Sequence, residues 1–180
     1  YYPGCTIKTT ALNFETSAVA VARALGIEMV ELQRWNCCGA VASLVTDDLI
    51  HQLASIRNLI RVQEMGESRV VTLCSMCFNT LKQANLLMKK DSEKLKTITL
   101  FMDDEAPYRG GVEVYHFLEL LKDIPEDRVK KPLRDLKLAP YYGCYLLRPE
   151  SVAIDDIEEP VIMKNILEKQ GEKVVDFHFK

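Results

Sequence analysis

Residues 69–77 read RVVTLCSMC, and most of the architecture follows from them. Arg69 to Leu73 is a short β-branched run of the kind that forms a strand, and it delivers Cys74. A helix is expected to begin near Cys77 and to run towards Met88. Upstream, a helix is expected from Asp47 or Asp48 to Met65, with an acidic start and Gly66 where a C-terminal cap belongs. Downstream, a further helix spans Ser92 to Met102.

The same alternation continues in both directions. Tyr1-Tyr2 ends a strand at Pro3-Gly4, just before Cys5. A helical pattern follows from Thr10 to Leu25, with Phe14, Ala18, Val21 and Leu25 on one stripe and Gly26 as its cap. Ile27 to Leu32 reads as a strand leading into Trp35 and the pair Cys37-Cys38. Gly110-Gly111 marks a turn, Tyr115 to Leu121 a compact helical stretch, and Leu136 to Tyr142 a strand whose Pro140 points to an end or edge. Strands alternating with helices predict an α/β protein with short parallel sheets flanked by helices.

One feature repeats. Tyr1-Tyr2-Pro3-Gly4-Cys5 resembles Tyr141-Tyr142-Gly143-Cys144, and the glycine-then-strand segment 26–32 resembles 171–177. The echo predicts tandem pseudo-repeated modules: a first at 1–107, a connector at 108–133 and the truncated start of a second at 134–180. By the spacing of the first copy, the second is expected to be cut off just before its own cysteine pair, so the chain is read as a fragment that is inactive alone.

Bulk composition narrows the class. The chain has 180 residues, 48% hydrophobic and 27% charged, with a net charge of −3, as in a globular protein. No basic stripe suggests nucleic acid, no apolar run approaches the length of a membrane span, and no export signal opens the chain. Six cysteines in a core large enough to fold without staples point to a reducing compartment, the cytoplasm, and to thiolate chemistry rather than disulfides.

In a parallel sheet the segments that follow strand ends meet at one edge. Cys5, Cys37, Cys38, Cys74 and Cys77 are therefore expected to converge at the C-terminal ends of the strands. Zinc or an ordinary cubane takes four cysteines, so five is one too many. Three options stand: a four-sulfur metal with a spare reactive thiol, a redox couple at the CxxC alone, or a cluster bridged so that a fifth thiolate is used. Neighbouring Cys37 and Cys38 favour the last, because adjacent side chains can reach two different irons.

The set Cys5, Cys37-Cys38-Gly39, Cys74 and Cys77 resembles the cysteine-rich CCG domain. YYPGCTIK (1–8), LGIEMVELQRWNCCGA (25–40), RNLIRVQEM (57–65), VVTLCSMCFNTLKQAN (70–85) and APYYGCYLLRP (139–149) are similar to the B subunits of heterodisulfide reductases. That resemblance implies two non-cubane [4Fe-4S] clusters, one per motif, with Cys144 the first ligand of the second. It implies reduction of a disulfide (in methanogens that of coenzymes M and B) in one-electron steps. It also implies a ferredoxin-like iron–sulfur subunit and a flavin subunit as partners. Competing readings are a non-catalytic electron-transfer subunit of a lactate, glycolate or glycerol-3-phosphate oxidising complex, and a zinc-stabilised module, zinc also being a possible substitute metal. Arg148 can hold an anionic substrate group or form a surface salt bridge. Trp35 and Met76 are read as packing, Gly39 as a close backbone approach or a turn, and His51, His116 and His178 as structural or surface residues.

Overall fold

The computed structural model describes residues 1–40, 49–125 and 136–175. They fall into two compact units, Tyr1–Tyr115 and the residues from His116 onward. His178, Asp176 and Phe177 of the second glycine-then-strand segment, and the expected helix start at Asp47-Asp48 lie outside the described residues.

In the first unit α1 is Leu12–Ala24, α2 Leu53–Glu64 (preceded by a 3-10 turn, Leu49–Gln52), α3 Ser75–Lys90 and α4 Ser92–Phe101. The strands are β1, Arg69–Thr72, and β2, Glu113–His116, which are neighbours in one sheet. Tyr2 bridges Thr72 in parallel, its N–H donating to Val71 O at 2.8 Å. On the far side of that residue pair, Leu32 N–H donates to Tyr1 O at 2.8 Å. Segments 27–32, 1–2 and 69–72 thus lie side by side.

Helix geometry explains the core between sheet and helices. Ile56, Leu59 and Ile60 of α2 and Cys77, Leu81, Ala84 and Met88 of α3 recur every three or four residues, and all are buried. Each large one stabilises the fold by about 1.5–3 kcal/mol of removed apolar surface. Asp91 starts α4, its Oδ1 accepting from the N–H of Glu93 at 3.1 Å and Lys94 at 2.9 Å. Glu105 ties the C-terminal side of α4 to α2, accepting from Arg61 Nη2 at 2.6 Å and Arg57 Nε at 2.9 Å.

The second unit contains α5, Phe117–Leu121, β3, Lys137–Leu138, α6, Cys144–Leu147, α7, Ile162–Lys169, and β4, Lys173–Val174. A 3-10 turn, Glu150–Val152, follows α6. β3 and β4 pair in parallel, Lys137 with Lys173 and Leu138 with Val174. His116 begins α5: its Nδ1 accepts from Leu118 N–H at 3.3 Å, and its own N–H donates to Glu119. Among the described residues, no helix is long and apolar enough to cross a membrane.

The α/β character with short parallel strands is observed, and several elements differ in detail from the sequence reading. Segment 27–32 is not a regular strand, and beside it Pro3 has no N–H to continue a ladder. On α1 the buried positions are Ala18 and Ala22, whereas Phe14 and Val21 are exposed. Small residues let that helix approach closely, and the larger ones a turn away point outward. β2 occupies residues read as connector and as helix, and the strand expected over Leu136–Tyr142 is two residues long. α3 starts at Ser75, so the CxxC sits in its first turn.

Candidate metal centre

Residues 1–2 bridge β1 in parallel and segment 27–32 lies beside residues 1–2, so three neighbouring segments lead into the cysteines. The 1–2 strand leads to Cys5, the 27–32 segment to Cys37-Cys38, and β1 to Cys74. The sulfurs form two groups, which the chain joins through the neighbouring residues Cys37 and Cys38. Cys5 Sγ lies 3.9 Å from Cys37 Sγ, and Cys38 Sγ lies 3.5 Å from Cys77 Sγ. The Cys77 thiol is the strongest influence on Cys74. Cys5 and Cys37 are exposed, Cys74 is intermediate, and Cys38 and Cys77 are buried. The alternation at 37 and 38 carries one sulfur to the surface and its neighbour to the interior.

Backbone geometry aims donors at these sulfurs. Gly39, at φ +75°, turns the chain so that its own N–H meets the Cys37 sulfur and that of Ala40 meets Cys38. Cys74 is the N-cap of α3, and the N–H groups of Cys77 and Met76 point at its sulfur. The paired-cysteine loop is clamped by α2. Asn58, itself buried, accepts from Asn36 N–H at 3.0 Å and donates to Asn36 O at 3.0 Å. Ser55 Oγ donates to Cys38 O at 2.9 Å.

The thiols respond to one another. The Cys77 thiol pulls Cys74 down to about 6, against burial, and the two N–H donors help. It also pulls Cys38 down to about 7, again against burial, with Ala40 N–H and the Tyr2 phenol assisting. Cys77 holds its proton far above the ordinary thiol range, by donating to Cys38 and Cys74 and by burial. At Cys37 the Gly39 N–H is the largest influence and favours thiolate, but burial, Cys38 and Cys5 together outweigh it and raise the value. Cys38 and Cys74 are thus favoured as thiolates, while Cys37 and Cys77 are favoured as thiols.

Does a metal group fit? The donors are all thiol sulfur, which suits zinc, copper(I) and iron–sulfur clusters. Among the described residues, no three His, Cys, Asp or Glu side chains are disposed around a single ion position. A polynuclear group does not require that, since its irons spread the ligands apart. The cradle is also shaped for sulfur: a Cβ on Gly4, at φ +75°, would stand 2.9 Å from Cys77 Sγ. An all-sulfur donor set of this kind suits an iron–sulfur group.

Residues 1–82 match the family model described as a cysteine-rich domain, CCG. They are a CCG cysteine-rich domain. The chain that carries this CCG domain is also homologous, over nearly its whole length, to heterodisulfide reductase B subunits. It is 30% identical over 98% of its residues to the B subunit of the ferredoxin/F420H2-dependent CoB-CoM heterodisulfide reductase of Methanosarcina acetivorans, covering 61% of that protein. It is 31% identical over 97% of its residues to the B subunit of the ferredoxin:CoB-CoM heterodisulfide reductase of Methanosarcina mazei, covering 60%. It is 33% identical over 98% of its residues to the 8-methylmenaquinol:fumarate reductase membrane anchor subunit of Wolinella succinogenes, covering 63%. The chain therefore spans about three fifths of the length of the curated relatives it matches.

The remaining candidates lie beyond the CCG domain. Cys144 is exposed at the first position of α6, behind Gly143 at φ +69°. Arg148 donates to Glu158 at 2.9 Å, and both side chains are exposed. Trp35, inside the domain, packs edge-on against Tyr2, with ring centroids 6.0 Å apart. Two residues of the CCG domain carry more than the sequence reading gives them. That reading makes Gly4 only a strand terminator, although the recurrence of glycine ahead of Cys144 is a signal. Tyr2, fully buried, has its phenol among the sulfurs, where four of the thiols act on it.

Proposed function

We propose that this chain is the cluster-bearing part of a disulfide reductase of the heterodisulfide reductase B type. The observation that carries the reading is that five thiols are delivered by three neighbouring chain segments, with Cys5 Sγ 3.9 Å from Cys37 Sγ and Cys38 Sγ 3.5 Å from Cys77 Sγ. Thiolate-ligated iron–sulfur groups supply single electrons, and cleaving S–S takes two. The chain's own contribution is to hold the ligands and shape access. Cys38 and Cys77 anchor the group in the interior, and Cys74 is stabilised as thiolate by the N-terminus of α3. Cys5 and Cys37 form the solvent-facing edge, where an external disulfide can approach. The sequence echo and the parallel β3–β4 pair behind Cys144 support a second module of the same design in the whole protein, with Cys144 as its first ligand. In that setting electrons arrive from an iron–sulfur subunit and a flavin subunit.

A second reading has its own support. A relative of comparable identity is named for a quinol:fumarate reductase, so the same domain also suits a relay that touches no disulfide. Metal analysis with electron paramagnetic resonance on the anaerobically purified full-length protein separates them. Iron with sulfide, and a paramagnetic signal that appears or changes on adding thiol, is expected for the disulfide reductase. Iron without a thiol response supports the relay, and zinc alone overturns both.

A further inference from the structure

Three consecutive carbonyls at the paired cysteines each have a side-chain donor. Asn36 O accepts from Asn58 Nδ2 at 3.0 Å and from the Tyr2 hydroxyl at 2.9 Å. Cys37 O accepts from Asn36 Nδ2 at 2.7 Å, and Cys38 O from Ser55 Oγ at 2.9 Å. A peptide unit is planar, so holding its carbonyl holds the whole plane. The planes on both sides of Cys37 and of Cys38 are then fixed, and with them the direction in which each Cα–Cβ bond leaves the chain. Those directions send the Cys37 sulfur to the surface and the Cys38 sulfur to the interior.

Two of these donors come from one turn of α2. Ser55 and Asn58 share a side of the helix and are 0% and 1% exposed. Asn58 makes the larger contribution. Its Oδ1 accepts from Asn36 N–H at 3.0 Å, while its Nδ2 donates to Asn36 O and, also at 3.0 Å, to Ala54 O. One amide thus engages both backbone groups of Asn36, as the partner in an antiparallel hydrogen-bonded pair does. Its orientation is unambiguous, because a flip would set Oδ1 against two carbonyl oxygens and Nδ2 against an N–H. Asn36 Nδ2 returns the contact, donating to Ala54 O at 3.0 Å. Apolar packing alone would hold the loop on α2 and leave its peptides free to tilt. Directed bonds in a buried, satisfied network select one arrangement.

We propose that Asn58 of α2 is a positioning residue for the bound group: through the Asn36 peptide it sets the diverging directions of the Cys37 and Cys38 sulfurs. This rests on the iron–sulfur reading of the site. In the full-length protein, Asn58→Asp keeps the shape of the side chain and turns an oxygen towards Asn36 O and Ala54 O. Iron release to bathophenanthroline disulfonate is followed after anaerobic purification, under reducing conditions. It is expected to gain a phase about tenfold faster than in the wild type, the low end of what groups behind metal ligands typically contribute. Glu105→Gln is the control. It weakens the ion pairs to Arg57 and Arg61 of the same helix without touching the bonds to residues 36–38, and it is expected to keep the wild-type time course.

Unaltered iron release from Asn58→Asp overturns the proposal and leaves the cluster reading intact. An equal acceleration in Glu105→Gln does the same, because the loss then follows from lowered stability rather than from the direction of the sulfurs. Wild-type protein without iron overturns both. If Asn58→Asp yields no folded protein, Asn58→Ala, which removes the amide and adds no charge, takes its place beside the same control. A fast phase is again expected there, and its absence overturns the proposal.

Discussion

Gly4-Cys5 and Gly143-Cys144 are built alike and end differently. In each, a glycine at positive φ (+75° and +69°) follows a short strand and turns the chain into a cysteine. Cys5 then meets Cys37 across 3.9 Å, and Gly4 makes room for the sulfur of Cys77. Cys144 is the single cysteine of its unit, and a Cβ on Gly143 would meet nothing nearer than Tyr141 Cε1 at 3.7 Å. A strand, a glycine and a cysteine are therefore a component. They become a site when two further strand ends at the same edge bring their own sulfurs.

That contrast can be broken most directly at the vicinal pair. Cys38→Ser in the full-length protein is expected to lower iron content as severely as Cys37→Ser, although one sulfur is buried and the other exposed. Iron and sulfide assays decide; full iron and full activity in Cys38→Ser would end the five-ligand account.

The glycines sharpen it next. Gly4→Ala should strip metal from the first site, because its Cβ stands 2.9 Å from the Cys77 sulfur and the residue keeps φ +75°. Gly143→Ala, at φ 69° and ψ 163°, should lower stability by about 1–3 kcal/mol through backbone strain while the first site keeps its metal. Metal content beside denaturant midpoints tells the two effects apart. Equal metal loss in both variants would mean that Gly4 acts through the backbone alone.

The smallest effects come from the ion pairs. Glu105, with 9% of its side chain exposed, is bonded to Arg61 and Arg57, and Arg61 holds its carboxyl below the usual range. Glu105→Gln should cost about 2–3 kcal/mol of stability at pH 7. The stabilisation is complete above 4.5, the unfolded carboxyl's value, and is lost as pH falls from there through the lowered folded-state value. Urea midpoints of the wild type should decline over that window, and those of Glu105→Gln should decline less. Arg148→Ala, in the exposed pair with Glu158, should change stability by less than about 0.5 kcal/mol.

Much of the first unit was legible because its signals are local. A β-branched run before Cys74 and glycines after α1 and α2 act within one turn of the chain. β2 was not legible: Glu113-Val114-Tyr115-His116 becomes a strand by lying beside β1, with Glu113 N–H bonded to Ser68 O, and its own residues say little. Phe14 and Val21 misled for a related reason. A stripe of spacing shows that a helix has faces, and packing chose the alanines for the inside.

By itself the sequence determined that five cysteines stand just after strand ends, with glycine beside two of the three groups. Strand alternation and turn preferences are properties of neighbouring residues, so they can be read along the chain. Only the tertiary structure decided that Cys38 and Cys77 meet inside while Cys5 and Cys37 meet at the surface, and that the buried Tyr2 hydroxyl donates to the carbonyl of Asn36. Those choices depend on which groups the fold sets opposite each other, and residues 39 positions apart, such as Cys38 and Cys77, reveal that only once the chain has folded.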